Sequence, residues 1–183
     1  GFLYQQNTLR DALVAGLTLN IFNNYCERVK MANIAQIVNV LQALILTRGP
    51  EMIVTPTYHV FDLYQVHQDA TLIPTELTCE SYVVEDAAIP ELNASASVGP
   101  GGSVNITLCN LNPHKELLVS AVLDGFAVKE VASRVLTSAN MNDHNTFEQP
   151  DVVRPRALDS ISLKENHLSI TLPPKSVALV TVR

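Results

Sequence analysis

Asp143, His144 and Glu148 are the densest cluster of ionisable side chains in the chain. Two carboxylates and an imidazole within six residues are a donor set for a metal ion or an acid–base pair. They lie in Asn140–Pro155, a stretch too polar for a core strand. The same residues therefore fit a solvated loop folded over a sheet edge, and this is the preferred reading. His59 and His67 fall on an expected helix, eight residues apart. That spacing puts them on one side but about 12 Å apart along the axis, too far to share a metal. Packing or hydrogen bonding is the expected role of both. Cys26, Cys79 and Cys109 form no C-x-x-C pair and are read as ordinary small thiols. No metal site and no cofactor are expected. Nucleophile-elbow, Walker and dinucleotide-binding patterns are absent from the sequence. Asn93-Ala94-Ser95 and Asn105-Ile106-Thr107 match the glycosylation triplet, although Asn105 falls inside an expected strand.

Gln36 is the residue best placed to meet a ligand. It follows Arg28–Asn33, where Val29 and Met31 alternate with Arg28 and Lys30 as in a short strand. In a β/α barrel the positions just past a strand form the rim that meets the ligand. A neutral amide donates and accepts, which suits sugar hydroxyls. A helix-start glutamine bonded to local backbone is the competing reading.

The elements that would hold Gln36 are helical on both sides. Thr8 and Asp11 fit a capping box opening a helix that ends near Asn23 and Asn24. Leu9, Leu13, Gly16 and Leu17 share one face, but Ala12, Val14, Leu19, Ile21 and Phe22 fill most of the others. Such a helix touches neighbours on several sides, as in the outer ring of a barrel. Ile37, Val38, Val40, Leu41, Leu44 and Ile45 return to helical spacing after the strand. Arg48-Gly49-Pro50 is a turn, Met52–Thr55 an extended segment, and Pro56 the first turn of another helix. A single strand flanked by apolar helices cannot bury itself, so this region reads as a fragment of a β/α array whose partner strands belong to a longer chain.

Beyond Asp69 the pattern changes to short alternating runs. They are Thr75–Tyr82, Leu92–Ala96, Ser103–Asn110, Leu117–Leu123, Ala127–Val131, Ser160–Lys164, His167–Leu172 and Ser176–Arg183, separated by Gly, Pro and Asn turn signals. Residues 71–183 are therefore read as a C-terminal, jelly-roll-like β-sandwich, and the chain as mainly β. The 183 residues carry a net charge of −6, with twelve scattered Lys and Arg. Nucleic acid and an anionic membrane surface are poor partners for that surface. No apolar run is long enough to span a bilayer.

Thr8–Thr47, Thr55–Ala70, Asp143–Pro155 and Leu172–Val182 together resemble the C-terminal part of glycoside hydrolase family 51, the α-L-arabinofuranosidases. The resemblance implies that residues 1–70 are the final helix-strand-helix part of a truncated (β/α)8 barrel, followed by the C-terminal β-sandwich of residues 71–183. It also implies a retaining mechanism with two glutamates, an acid/base and a nucleophile. Both family glutamates fall upstream of Gly1, so no catalytic residue is expected in this chain. Ala35-Gln36-Ile37-Val38-Asn39 matches the family's A-Q-[LI]-V-N motif. Its glutamine hydrogen-bonds the arabinose, which makes Gln36 the expected substrate-binding residue. The partners implied are an arabinose-containing oligosaccharide and the missing barrel portion of the same protein. Docking of residues 1–70 onto another chain, through the faces left open by the missing strands, is a third reading, and a homo-oligomer is a further candidate partner. A non-catalytic carbohydrate-binding sandwich is the alternative. The chain's lack of Trp and its 5% aromatic content argue against that alternative.

Overall fold

The computed structural model describes residues 7–34, 36–126 and 130–183. Strands dominate, and they form three layers with two helices. Helix α1 is Leu9–Asn24 and α2 is Pro56–Tyr64, continued by a short 3-10 turn at Gln65–His67. Between them, β1 (Ile45–Arg48) and β2 (Glu51–Val54) form a hairpin. The strands of the main sheets are β3 (Thr71–Ile73), β6 (Leu92–Val98), β7 (Val104–Asn110), β8 (Leu117–Val122), β9 (Val131–Leu136), β10 (Arg156–Ala157), β11 (Ile161–Lys164), β12 (His167–Leu172) and β13 (Ser176–Val182). A separate hairpin pairs β4 (Ser81–Val84) with β5 (Ala87–Pro90).

The larger sheet has six antiparallel strands in the order β10-β9-β13-β7-β6-β3, and the smaller has three, β11-β12-β8. Their facing sides make one apolar core. Leu92, Val104, Ile106 and Val180 from the six-stranded sheet meet Val119, Leu168, Ile170 and Leu172 from the three-stranded one. The expected sandwich is thus present.

Alternation in β7 and β13 does not separate core from solvent. Every residue of β7 is buried, and so is every residue of β13 except Thr181. Val104, Ile106 and Leu108 enter the sandwich core, while Cys109 on the opposite face belongs to a second core with Val177 and Leu179. Leu9, Ala12 and Leu13 of α1 and Val60 and Leu63 of α2 cover that second face. The helices form a third layer on the outer side of the large sheet.

Close approach of α1 depends on Gly16. A Cβ there would lie 2.9 Å from the Cys109 sulfur and 3.1 Å from a Val177 methyl. We expect Gly16→Ala to destabilise by about 1 kcal/mol, because crowding of about 1–3 kcal/mol outweighs the helix propensity gained. Urea unfolding measures this, and a stabilised variant would contradict the close-packing argument.

The Thr8 amide (2.7 Å) and hydroxyl (2.9 Å) both donate to the Asp11 carboxylate, as the capping reading requires in part. Thr55 caps α2, with Pro56 in the first turn. Asn140–Pro155 is the expected loop, but it is docked. Leu9 N–H donates to Asp143 O at 2.9 Å and Arg10 N–H to Met141 O at 3.1 Å. Val153 is fully buried, and Asn145 brackets it with bonds of 2.8 and 3.0 Å.

Three local expectations are corrected. Residues 29–34 form no strand, and 36–44 form an irregular loop where a helix was expected. A strand exists only through hydrogen bonds to a neighbour, and none of the strands described lies alongside 29–34. Asn39 (φ 56°) and Gln42 (φ 60°) take left-handed backbone conformations that a helix excludes. The apolar spacing instead serves a loop that buries Ala43 and then enters β1. Thr75–Tyr82 becomes a strand only from Ser81. The run Ala127–Val131 lies mostly outside the described residues; β9 begins at Val131.

Candidate functional site

Gln36 is exposed, at the head of a loop that its own backbone ties together. The Ile37 carbonyl accepts from Leu44 N–H (2.9 Å) and Ile45 N–H (3.0 Å), and Asn39 N–H donates to Ile45 O (3.1 Å). Val38 forms a parallel bridge with Ile45. The Asn39 side chain closes the loop twice: Oδ1 accepts from Thr47 N–H at 2.7 Å, and Nδ2 donates to Thr47 Oγ1 at 2.7 Å. At the base, the Ala43 carbonyl accepts from Asn7 Nδ2 (2.6 Å) and Thr55 Oγ1 (2.9 Å). The loop is thereby anchored to the entries of both helices.

The hairpin that follows is pinned to the sandwich loop. Arg48 Nε donates to Glu51 and its Nη1 to Glu148, both at 2.9 Å. The Arg48 guanidinium stands 4.3 Å over the Phe147 ring. These bonds raise the Arg48 pKa and lower that of Glu148.

The other ionisable residues disperse into structural tasks. Asp143 accepts from the Ser138 hydroxyl (2.5 Å) and from Asn140 N–H (2.9 Å), which hold its carboxyl below the usual range. His144 Nδ1 meets Asn142 O at 3.1 Å, and Glu148 turns to Arg48. Among the described residues, no three His, Cys, Asp or Glu converge as a metal site. The stretch is the docked loop that the sequence reading preferred. Cys109 is sealed beneath α1, where burial pushes its thiol up to about 12, whereas Cys79 is exposed and Cys26 half-buried. Asn105 is buried and accepts from Thr181 Oγ1 at 2.9 Å, so its triplet offers no accessible acceptor for a glycan.

One constellation escaped the sequence reading. Asn20, fully buried on α1, accepts at Oδ1 from Ser95 Oγ (2.9 Å) and Thr107 Oγ1 (2.7 Å). His67 bridges the neighbouring hydroxyls, with Nε2 3.0 Å from Thr107 Oγ1 and Nδ1 2.7 Å from Ser97 Oγ. Thr107 gives its proton to Asn20, so it accepts from His67. The neutral imidazole therefore carries its hydrogen on Nε2 and accepts from Ser97 at Nδ1. Tyr64 OH donates to Gly16 O at 2.9 Å beside Cys109. The hydrogen-bonding role read for His67 is what it performs. His59 has the separate task of packing edge-on against Tyr58.

Burial lowers the His67 pKa from 6.5 to about 4. Between those values the unfolded chain binds a proton that the folded chain does not. Stability from this site is full above pH 6.5 and is lost as pH falls toward 4, by at most about 3 kcal/mol. We expect His67→Gln to flatten the fall in unfolding free energy between pH 6.5 and about 4. An unchanged slope would assign the acid sensitivity to other groups.

A groove of about 560 Å³ opens where the end of α1, residues 29–32 and the end of α2 meet, lined by Leu19, Phe22, Cys26, Val29, Phe61 and Gln68 among others. The first part of the chain also displays apolar side chains to solvent. Val14 is 58% exposed, Tyr25 66%, Met31 74% and Ile37 57%.

Comparison with known proteins places this architecture. The model of the α-L-arabinofuranosidase C-terminal domain matches residues 1–176. The chain is 43% identical to an intracellular exo-α-L-arabinofuranosidase of Bacteroides ovatus, over 100% of the chain and 36% of that protein. It is 31% identical to a probable α-L-arabinofuranosidase C of Aspergillus niger, over 74% of the chain and 28% of that protein. The crystal structure of the glycoside hydrolase family 51 arabinofuranosidase from Xanthomonas axonopodis pv. citri superimposes with a TM-score of 0.96 at 42% identity, over 99% of this chain and 37% of that one. The α-L-arabinofuranosidase from Thermotoga maritima, solved as its arabinose complex, gives 0.85 at 26% identity, over 99% and 39%. The chain thus spans just over a third of the length of its Bacteroides relative.

Proposed function

From the premise that this chain belongs to the α-L-arabinofuranosidase C-terminal domain family of glycoside hydrolase family 51, we propose that it is the closing portion of a longer retaining α-L-arabinofuranosidase. That enzyme releases terminal arabinofuranosyl residues from arabinan- and arabinoxylan-type oligosaccharides. Its acid/base and nucleophilic glutamates lie upstream, and the two carboxylates work across the scissile bond by double displacement. Residues 1–70 complete the barrel, with 28–33 gaining strand partners there. Residues 71–183 form the sandwich that supports it. Gln36, at the rim, hydrogen-bonds the arabinose.

The observation that carries this reading is the second apolar side of α1 and its continuation. Leu9, Ala12, Leu13 and Gly16 are buried on the sheet, yet Val14, Ile21, Tyr25 and Met31 face solvent. Large apolar side chains exposed at this density support the reading of a surface built to be covered. The reading of the sandwich as support rests on its aromatics. Phe126 packs against the sandwich core and Phe147 lies under Arg48. Neither is spread as a sugar platform, so calorimetry of the chain with arabinan should give no heat. The main test is turnover of 4-nitrophenyl α-L-arabinofuranoside with retention of configuration. The longer protein is expected to show it and the 183-residue chain to show none. Turnover by the chain alone, or inversion by the longer protein, would overturn the proposal.

A further inference from the structure

We propose that Asn39 is the positioning residue for Gln36, acting through its clasp on Thr47; this rests on the reading of Gln36 as the sugar contact. The geometry concentrates the fixing of Gln36 in three residues that follow it. Ile37 is held by two amides, Leu44 N–H and Ile45 N–H, and Val38 is bridged to Ile45. Asn39 then fastens the same strand two residues further on, at Thr47, with two bonds of 2.7 Å. Those bonds make the loop a closed ring of backbone ending one residue after Gln36.

Asn39 suits the position for two separate reasons. Its φ of 56° is in the left-handed region, which asparagine enters at lower cost than most side chains. Its amide offers an acceptor to the Thr47 N–H and a donor to the Thr47 hydroxyl at once. Glycine would keep the backbone and lose both bonds. Aspartate would keep the acceptor and let the Thr47 hydroxyl donate in place of the lost NH2. The clasp is exposed, so its removal should leave the fold in place.

A double-mutant cycle in the longer enzyme separates positioning from structure. The variants are Asn39→Gly, Asn39→Asp, Gln36→Ala and the Gln36→Ala/Asn39→Gly pair. We expect Asn39→Gly to lower kcat/KM on 4-nitrophenyl α-L-arabinofuranoside about tenfold, since misplacing a contact by about 1 Å has effects of that order or larger. Asn39→Asp should restore most of the loss. In the Gln36→Ala background Asn39→Gly should have no further effect, with the unfolding midpoint within about 2 °C of the parent throughout. An equal loss from Asn39→Gly in both backgrounds, or no loss in the parent, would overturn the positioning role while leaving the Gln36 contact standing. Full activity of Gln36→Ala itself would overturn the contact, and the clasp's purpose with it.

Discussion

Asn20→Ala is expected to lower the unfolding free energy by about 3 kcal/mol, a large effect for a polar residue on a helix. The Asn20 carboxamide is the common acceptor of Ser95 and Thr107, whose hydroxyls are themselves buried in the sheet. Truncation strands these hydroxyls and opens a void under α1. A stranded buried group costs about 1–3 kcal/mol, and a void adds to it. The Thr107 hydroxyl is left with the Ser95 carbonyl as acceptor, at 3.4 Å a longer bond than the 2.7 Å one it loses. Urea unfolding at neutral pH measures the change. Thr18→Ala, which removes only a hydroxyl bonded to Val14 O on the exposed side, is the control. A loss below about 1 kcal/mol for Asn20→Ala would mean that water or side-chain rotation satisfies the network without it.

The second large effect is on activity. On the proposed reading of Gln36 as the sugar contact, Gln36→Ala in the longer enzyme should reduce kcat/KM by about a hundredfold, or about 3 kcal/mol. Gln36 is exposed in this chain, so thermal stability should not change. Gln36→Glu keeps an acceptor but loses both donors and adds a charge, and should fall between the two. Kinetics on an aryl arabinofuranoside decide the matter; a loss smaller than about threefold would place the sugar elsewhere.

The legible parts of the sequence were those whose signal is local. The Thr8 start of α1, Pro56 at the head of α2, and the alternation of β6, β7, β8, β12 and β13 all correspond to observed elements. What escaped depended on neighbours. Asn105, Thr107 and Cys109 look like the wet face of a strand, yet all three are buried, Thr107 and Cys109 beneath α1. The Asn20 network had a faint signal. Asn20 lies four residues after Gly16 on the face that also holds Leu9 and Leu13, and Ser95, Ser97 and Thr107 lie on one side of two paired strands. Polar residues at matching positions on a helix and a sheet are a reason to look for a buried bond network. The loop 36–44 misled for another reason. Its apolar residues keep helical spacing, but the left-handed Asn39 and Gln42 that decide its path are invisible to periodicity. Gln36 was singled out by its place after an alternating run that forms no strand in this chain, and its expected role came from the likeness.

The helical roof over the large sheet limits how such enzymes can be recombined. Cys109, Val177 and Leu179 are shaped to Gly16 and Leu13 from the other part of the chain. Grafting this sandwich beneath other helices would bring ill-fitting side chains against that surface. A working chimera would have to inherit α1 and α2 as well, so the unit of exchange runs from the first helix to the last strand.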